Sequence, residues 1–270
     1  YKQYERRKMT FATGVKSKIW EYQYKAEDPN FPEIPKIIPG ESQPDSERVS
    51  SFVYPGGILA VHAEGRGKDA IWTALKNKNV YGTSGPKILL WFDLINSPQG
   101  QVPMGSEVTM SQNPKFIVKA AGSFKQNPGC SNESIDSLSR ERLEYLCAGE
   151  CYNPSNKRHI IERIEIIKIT PQSYVGEAIS PLIQDAWKIV SCNQSEECII
   201  EFEDEQYSRD SIYYVRAIQE PTLAINGDQT KESDSAFQLC KGSFRTDLKD
   251  DCLSLANERA WSSPIYINKP

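Results

Sequence analysis

A chain of 270 residues with 39% hydrophobic and 25% charged residues can bury a full core, and a mean hydropathy of −0.55 fits a globular protein with many loops. A net charge of −4 with scattered Lys and Arg lacks the basic footprint of a nucleic-acid binder. The longest apolar runs, such as 88–92, fall far below the roughly 20 residues a transmembrane helix needs, so no membrane span is expected.

In chain order, residues 1–52 carry little periodicity, and Pro29, Pro32, Pro35, Pro39 and Pro44 exclude both helix and central strand from 28–44. A long irregular segment lying over a surface is expected there. "ILAVHAE", from Ile58, predicts a strand buried on both faces, as in a parallel sheet. After the "GRG" turn, Lys68 to Asn79 predicts a helix packed by Ala70, Ile71, Ala74 and Leu75. Gly82, Gly85 and Pro86 punctuate the return, and "KILLWFDLI" predicts the next strand. The turn-rich "NSPQGQVPMG" at 96–105 divides the chain into a first region, 1–97, and a second, 98–270.

The second region is built of short strands. Phe116, Val118 and Ala120 alternate with Ile117 and Lys119, and "IERIEIIKI", "AWKIVSC", "CIIEFED", "SIYYVRAIQ" and "SSPIYIN" follow. This texture predicts an antiparallel β-sandwich. One helix interrupts it within "SIDSLSRERLEYLCAGECYN", with Ser137 as N-cap, Leu143, Leu146 and Cys147 on one face, and Gly149 at the end. The expected class is α+β, mostly β, with a strand–helix–strand unit before the sandwich.

Seven cysteines bear on the compartment. Cys192 and Cys198 enclose a polar turn between apolar runs, and Cys240 and Cys252 enclose a polar loop with no core of its own. Bridging either pair implies an oxidising compartment, periplasmic or secreted; free thiols in a cytosolic protein are the alternative. "CAGEC" at 147–151 is half of a metal site without a second half, so a disulfide involving Cys130, or structural thiols, is the other reading. The pairing of Cys130, Cys147 and Cys151 stays open. The opening "YKQYERRKMTF" has neither an initiating Met nor an apolar leader, so an exported chain of this kind is expected to begin inside a longer protein.

Catalytic signals are few. The two histidines, His62 and His159, form no His-x-His, His-Glu-x-x-His or Asp-x-His motif, so a complete metal site is not expected within the chain. "GRGK" at 65–68 lacks the spacing of a phosphate loop, with Asp69 where Ser or Thr is required. Ser84 lacks the glycine context of a nucleophile elbow and reads as a turn hydroxyl. His159, between basic residues, reads as a solvated loop histidine. His62 and Glu64, two apart at a strand end, would point to one side with Arg66 following. They suit an anionic or polar substrate, or orientation of metal ligands supplied by other strands; ordinary strand-end hydrogen bonds are the alternative.

"LAVHAEGRGKDAIWTALKNKNVYGTSGPKILLWFDL", "PMGSEV", "YYVRAIQEPTLAING" and "ERAWSSPIYI" together resemble the carboxy-terminal half of the bacterial family known as domain of unknown function 3604, whose members resemble the PHP (polymerase and histidinol phosphatase) metal-dependent hydrolases. The resemblance implies an exported parent with an amino-terminal PHP-like barrel that binds divalent metal ions and hydrolyses phosphate or related esters. Residues 1–97 would then be the edge of that barrel and 98–270 an accessory sandwich. It also implies that His62, Glu64 and Arg66 end a late barrel strand, and that Arg6 and Arg7 follow the last metal motif, which lies before Tyr1. The cysteines of "CNQSEEC" and "LCAGECYNP" match one branch of the family, whereas 227–240 is shorter and poorer in cysteine than that pattern. The first expectation is thus the carboxy-terminal portion of a metal-dependent hydrolase, inactive alone, whose partner is the amino-terminal half of the same polypeptide. The second is a self-sufficient binding module, its apolar "ILAVHAE" strand covered by self-association or by the Pro-rich segment.

Overall fold

Two strands with strict apolar alternation set the interior. On one, Phe116, Val118 and Ala120 point inward while Lys115, Lys119 and their neighbours face out; on the other, Tyr213, Val215 and Ala217 are fully buried. In the computed structural model, which describes residues 56–147, 151–225 and 253–270, these strands belong to two sheets whose inner faces share one core. The chain is mostly β.

The elements run β1 (Ile58–Val61), α1 (Lys68–Lys76), β2 (Val80–Thr83), β3 (Leu89–Ser97), β4 (Gly100–Pro103), β5 (Glu107–Thr109), β6 (Lys115–Ala121), β7 (Phe124–Pro128), α2 (Asn132–Ser137), α3 (Arg140–Cys147), β8 (Tyr152–Arg158), β9 (Ile161–Ile169), β10 (Ile183–Ser195), β11 (Glu197–Glu203), β12 (Ser211–Ile225), β13 (Leu253–Ser262) and β14 (Ile265–Asn268). Long β12 is the spine of the eight-stranded sheet. One of its edges pairs with β9, which carries β10; the other pairs with β13 and β14, leading to β2–β1 and to β5. The facing sheet has the order β11-β6-β3-β4, and β7–β8 form a separate two-stranded arm. Every pairing is antiparallel except β14 with β5, and strands from either side of residue 97 enter both large sheets.

A stack of rings fills the space between the sheets. Phe116 lies 4.9 Å from Phe202, 5.3 Å from Phe92 and 4.8 Å from Tyr213, so rings from β3, β6, β11 and β12 meet at one point. At the side of the sandwich, Cys192 on β10 and Cys198 on β11 form a disulfide with a Cα separation of 5.4 Å. Bridging residues six apart removes loop entropy from the unfolded chain worth about 2 kcal/mol. It ties the edge of one sheet to the edge of the other. Cys151 is also disulfide-bonded, and Cys240 and Cys252 lie outside the described residues.

Close backbone approach explains one glycine. A Cβ on Gly122, after β6, would sit 1.8 Å from the His159 carbonyl oxygen, so β7–β8 can join the sandwich only where no side chain intervenes.

Several local expectations differ from the structure. β1 is not a doubly buried parallel strand: it pairs antiparallel with β2 and leaves Ile58 and Leu59 in solvent. α1 stops at Lys76 because Lys78 adopts a positive φ of 59°, and of the expected stripe only Ala74 is buried. The segment around 131–147 is two helices, broken at extended Leu138. The Ser131 and Ser139 hydroxyls cap them, so Ser137 ends the first helix instead of starting one; Gly149 lies outside the described residues. No described helix is long and apolar enough to cross a membrane.

Candidate functional site

The β1–α1 corner holds the residues that the sequence singles out. β1 ends at Val61, so His62 lies just past the strand, and the chain bends through Glu64 to Gly67 before α1 begins. His62 N–H still bonds the Asn79 carbonyl at 2.9 Å, holding the ring over the return strand. The ring lies 5.3 Å from Tyr81 and 5.6 Å from Trp91, and its Nε2 is 2.8 Å from the Leu90 carbonyl oxygen. A carbonyl only accepts, so Nε2 carries the proton and Nδ1 is the nitrogen left for other contacts. Tyr81 beneath it donates to the Ile88 carbonyl at 3.1 Å; burial raises its phenol above the ordinary value, against a lowering backbone contact with Leu90.

Glu64 and Arg66 do not join His62 in a common cluster. Both are exposed on the bend, because the strand geometry that would align positions 62 and 64 has already ended. Arg6 and Arg7 lie outside the described residues. Around the bend the surface is apolar: Ile58 is 41% exposed, Leu59 58% and Trp72 58%, with Ile71 and Leu75 also exposed. Among the described residues β1 pairs only with β2. Ser84, at the far end of β2, donates to the Glu258 carboxylate and accepts from Arg259 N–H at 2.9 Å, which anchors the corner to β13.

Two polar clusters escaped the sequence reading. In the first, His159 Nδ1 is 2.8 Å from Glu220 Oε1, and Lys125 Nζ is 3.2 Å from the same oxygen. Burial pushes the Glu220 carboxyl up, but the His159, Lys125 and Ile160 N–H hydrogen bonds outweigh it and hold the group below its ordinary value. His159 is half-buried and oriented, not a solvated loop histidine.

The second cluster lies between the sheets. Asp204, just past β11, is fully buried; Lys168 on β9 and the Tyr213 hydroxyl on β12 both donate to its Oδ2, the latter at 2.5 Å. Oδ1 accepts the Gln206 N–H at 3.1 Å. The Lys168 ammonium stands 5.3 Å from the Trp187 ring and 5.9 Å from that of Tyr213. Burial and the Asp204 charge push the Tyr213 phenol far above its ordinary value, and burial raises neighbouring Tyr207 to about 12. The sequence did hold a signal: with Ile164 and Ile166 inward, the period of two turns Lys168 inward too. Asp204, in the acidic run "EFEDEQ", resembles a surface residue and gave none.

Among the described residues no group of three or more His, Cys, Asp and Glu side chains is placed to hold a metal ion.

Residues 13–128 match the family model described as protein of unknown function (DUF3604), which supports that family assignment for a stretch running from before the β1–α1 corner to the end of β7. No curated protein and no solved structure matches the chain.

Proposed function

We propose that this chain is the carboxy-terminal portion of an exported, PHP-like metal-dependent hydrolase, and that the sandwich serves it as a non-catalytic docking domain. The observation that carries this reading is the β1–α1 corner. A short edge strand with apolar side chains on both faces, beside a helix that buries one alanine, has the character of an interface and not of a finished surface. His62, Glu64 and Arg66 sit at its rim, so a domain seated on Leu59 and Trp72 would bring Glu64 and Arg66 to its own edge. The family match across this corner and the Cys192–Cys198 disulfide support the family and export parts of the reading.

A specific observation also favours the second reading, a self-sufficient binding module: rings and aliphatic side chains from both sheets pack into one shared core. One experiment separates the two. The purified chain is incubated with Mn²⁺, Zn²⁺ or Mg²⁺ and an aryl phosphate monoester or diester, by itself and with the amino-terminal polypeptide of its parent. Hydrolysis only in the presence of both pieces is expected. Robust metal-dependent hydrolysis by this chain alone would sink the docking reading, and no association between the pieces would leave the module.

A further inference from the structure

The Lys168–Asp204 pair is the most buried ion pair among the described residues: Asp204 is wholly inaccessible and the Lys168 side chain is 10% exposed, whereas the next most enclosed pair, Arg216 with Glu165, is 17% and 12% exposed. Two charges held in an apolar space carry a large desolvation cost. An amide between them would remove both charges and keep the Gln206 N–H bond to Oδ1. We propose that Lys168 and Asp204 form an intramolecular isopeptide bond that staples β9 of one sheet to the end of β11 in the other. This proposal stands apart from the hydrolase reading.

The contacts assign a role to each atom. Lys168 Nζ is the nucleophile and the Asp204 carboxyl carbon the electrophile. Oδ1, held at 3.1 Å by the Gln206 N–H, stays as the amide oxygen, and that donor stabilises the charge it gathers as the nitrogen adds. Oδ2 is the leaving oxygen, the one to which both Lys168 and Tyr213 donate. The ammonium starts with three protons and the amide keeps one. Of the other two, one passes directly to Oδ2 and one through the Tyr213 hydroxyl, which gives its own proton and takes another from nitrogen. The C–Oδ2 bond breaks, the C–Nζ bond forms, and one water leaves. No oxidant or other reactant is needed.

The surroundings suit this condensation. Trp187 and Tyr213 flank the pair, and Phe116 and Phe202 pack against those rings, so competing water is scarce. Pairing of β9 with β12 and the Asp204 N–H bond to the Pro114 carbonyl at 3.1 Å fix both backbones, which holds amine and carboxyl in contact.

Intact mass tests the proposal. The chain is unfolded, reduced and alkylated, then weighed and digested with trypsin. Expected are a mass one water below the sequence sum, no cleavage after Lys168, and a branched peptide containing Lys168 and Asp204. A full sequence mass with normal cleavage at Lys168 overturns the proposal, as does a lost water that maps to a peptide without Lys168. Asp204→Asn keeps the shape and should release ammonia instead, giving a linked product of the same mass as linked wild type. Lys168→Arg should give the full sequence mass whether or not it folds well. Tyr213→Phe keeps the ring and should slow linkage, followed by intact mass as newly synthesised chain folds, by on the order of 100-fold; an unchanged rate would overturn the relay through its hydroxyl.

Discussion

Inside the sandwich each Asp204 carboxylate oxygen has a donor and the rings around it are packed, whereas at the β1–α1 corner five large apolar side chains stand in water around one buried alanine. The described residues thus satisfy a buried carboxylate completely and leave an apolar face exposed. Stability explains the first and not the second. Burying Leu59 or Trp72 fully is worth roughly 1.5–3 kcal/mol each, and the described residues leave much of that unrealised. The interior holds this chain together; the corner is where another surface could gain by binding.

The largest expected effect tests the interior half of that contrast. Phe116 is fully buried and touches rings from three other strands, so Phe116→Ala should cost about 3–5 kcal/mol in urea or thermal unfolding. Both sheets should unfold in one transition, because the cavity opens where they meet. A loss under about 1 kcal/mol, or two separate transitions, would mean that the sheets do not share a core.

A smaller effect sharpens the contrast at the loop between β9 and β10. Both Glu177 oxygens accept from Arg209, at 2.8 and 3.0 Å, and one also accepts the Ser173 N–H at 2.7 Å. These bonds lower the Glu177 carboxyl from 4.5 to about 2. A depressed folded value means that its contribution is complete above the unfolded value and fades as pH falls from about 4.5 towards 2. Carboxyl NMR should give a midpoint near 2, returning to the ordinary range in Arg209→Ala. A wild-type midpoint in that ordinary range would remove the latch and leave this loop as open as the corner.

Much of the sandwich was legible because alternation is a direct imprint of a half-buried sheet: "KFIVKAA" has Phe116, Val118 and Ala120 inward where a period of two puts them, while "IERIEIIKI" is buried continuously from Ile164 to Lys168. The turn "CNQSEEC" carried its disulfide in its spacing. β1 was misjudged because an apolar run looks the same whether it is covered by its own fold or by something else, and sequence carries no label for the cover. The α1 stripe failed for that reason too. The His62–Glu64 alignment failed because it assumed three more residues of strand than form. Asp204 could not be found at all, since its partners are 9 and 36 residues away and its neighbours are acidic surface residues.

The smallest effect on stability is the one that decides what the corner is for. Trp72 is 58% exposed, and the Lys76 ammonium 6.0 Å from its ring is a neighbour of the same helix, so the side chain contributes little to the fold around it. Trp72→Ala should therefore change unfolding of this chain by no more than about 0.5 kcal/mol. If the corner is a docking face, the same change should weaken binding to the parent's amino-terminal polypeptide by roughly 2 kcal/mol or more, near 30-fold in Kd, since exposed tryptophans at such faces carry much of the affinity. Leu59→Ser, on the strand side, should act in the same direction. A large loss of stability in the isolated chain would reverse the argument: Trp72 would then be covered by another part of its own polypeptide, and the corner would belong to the interior after all.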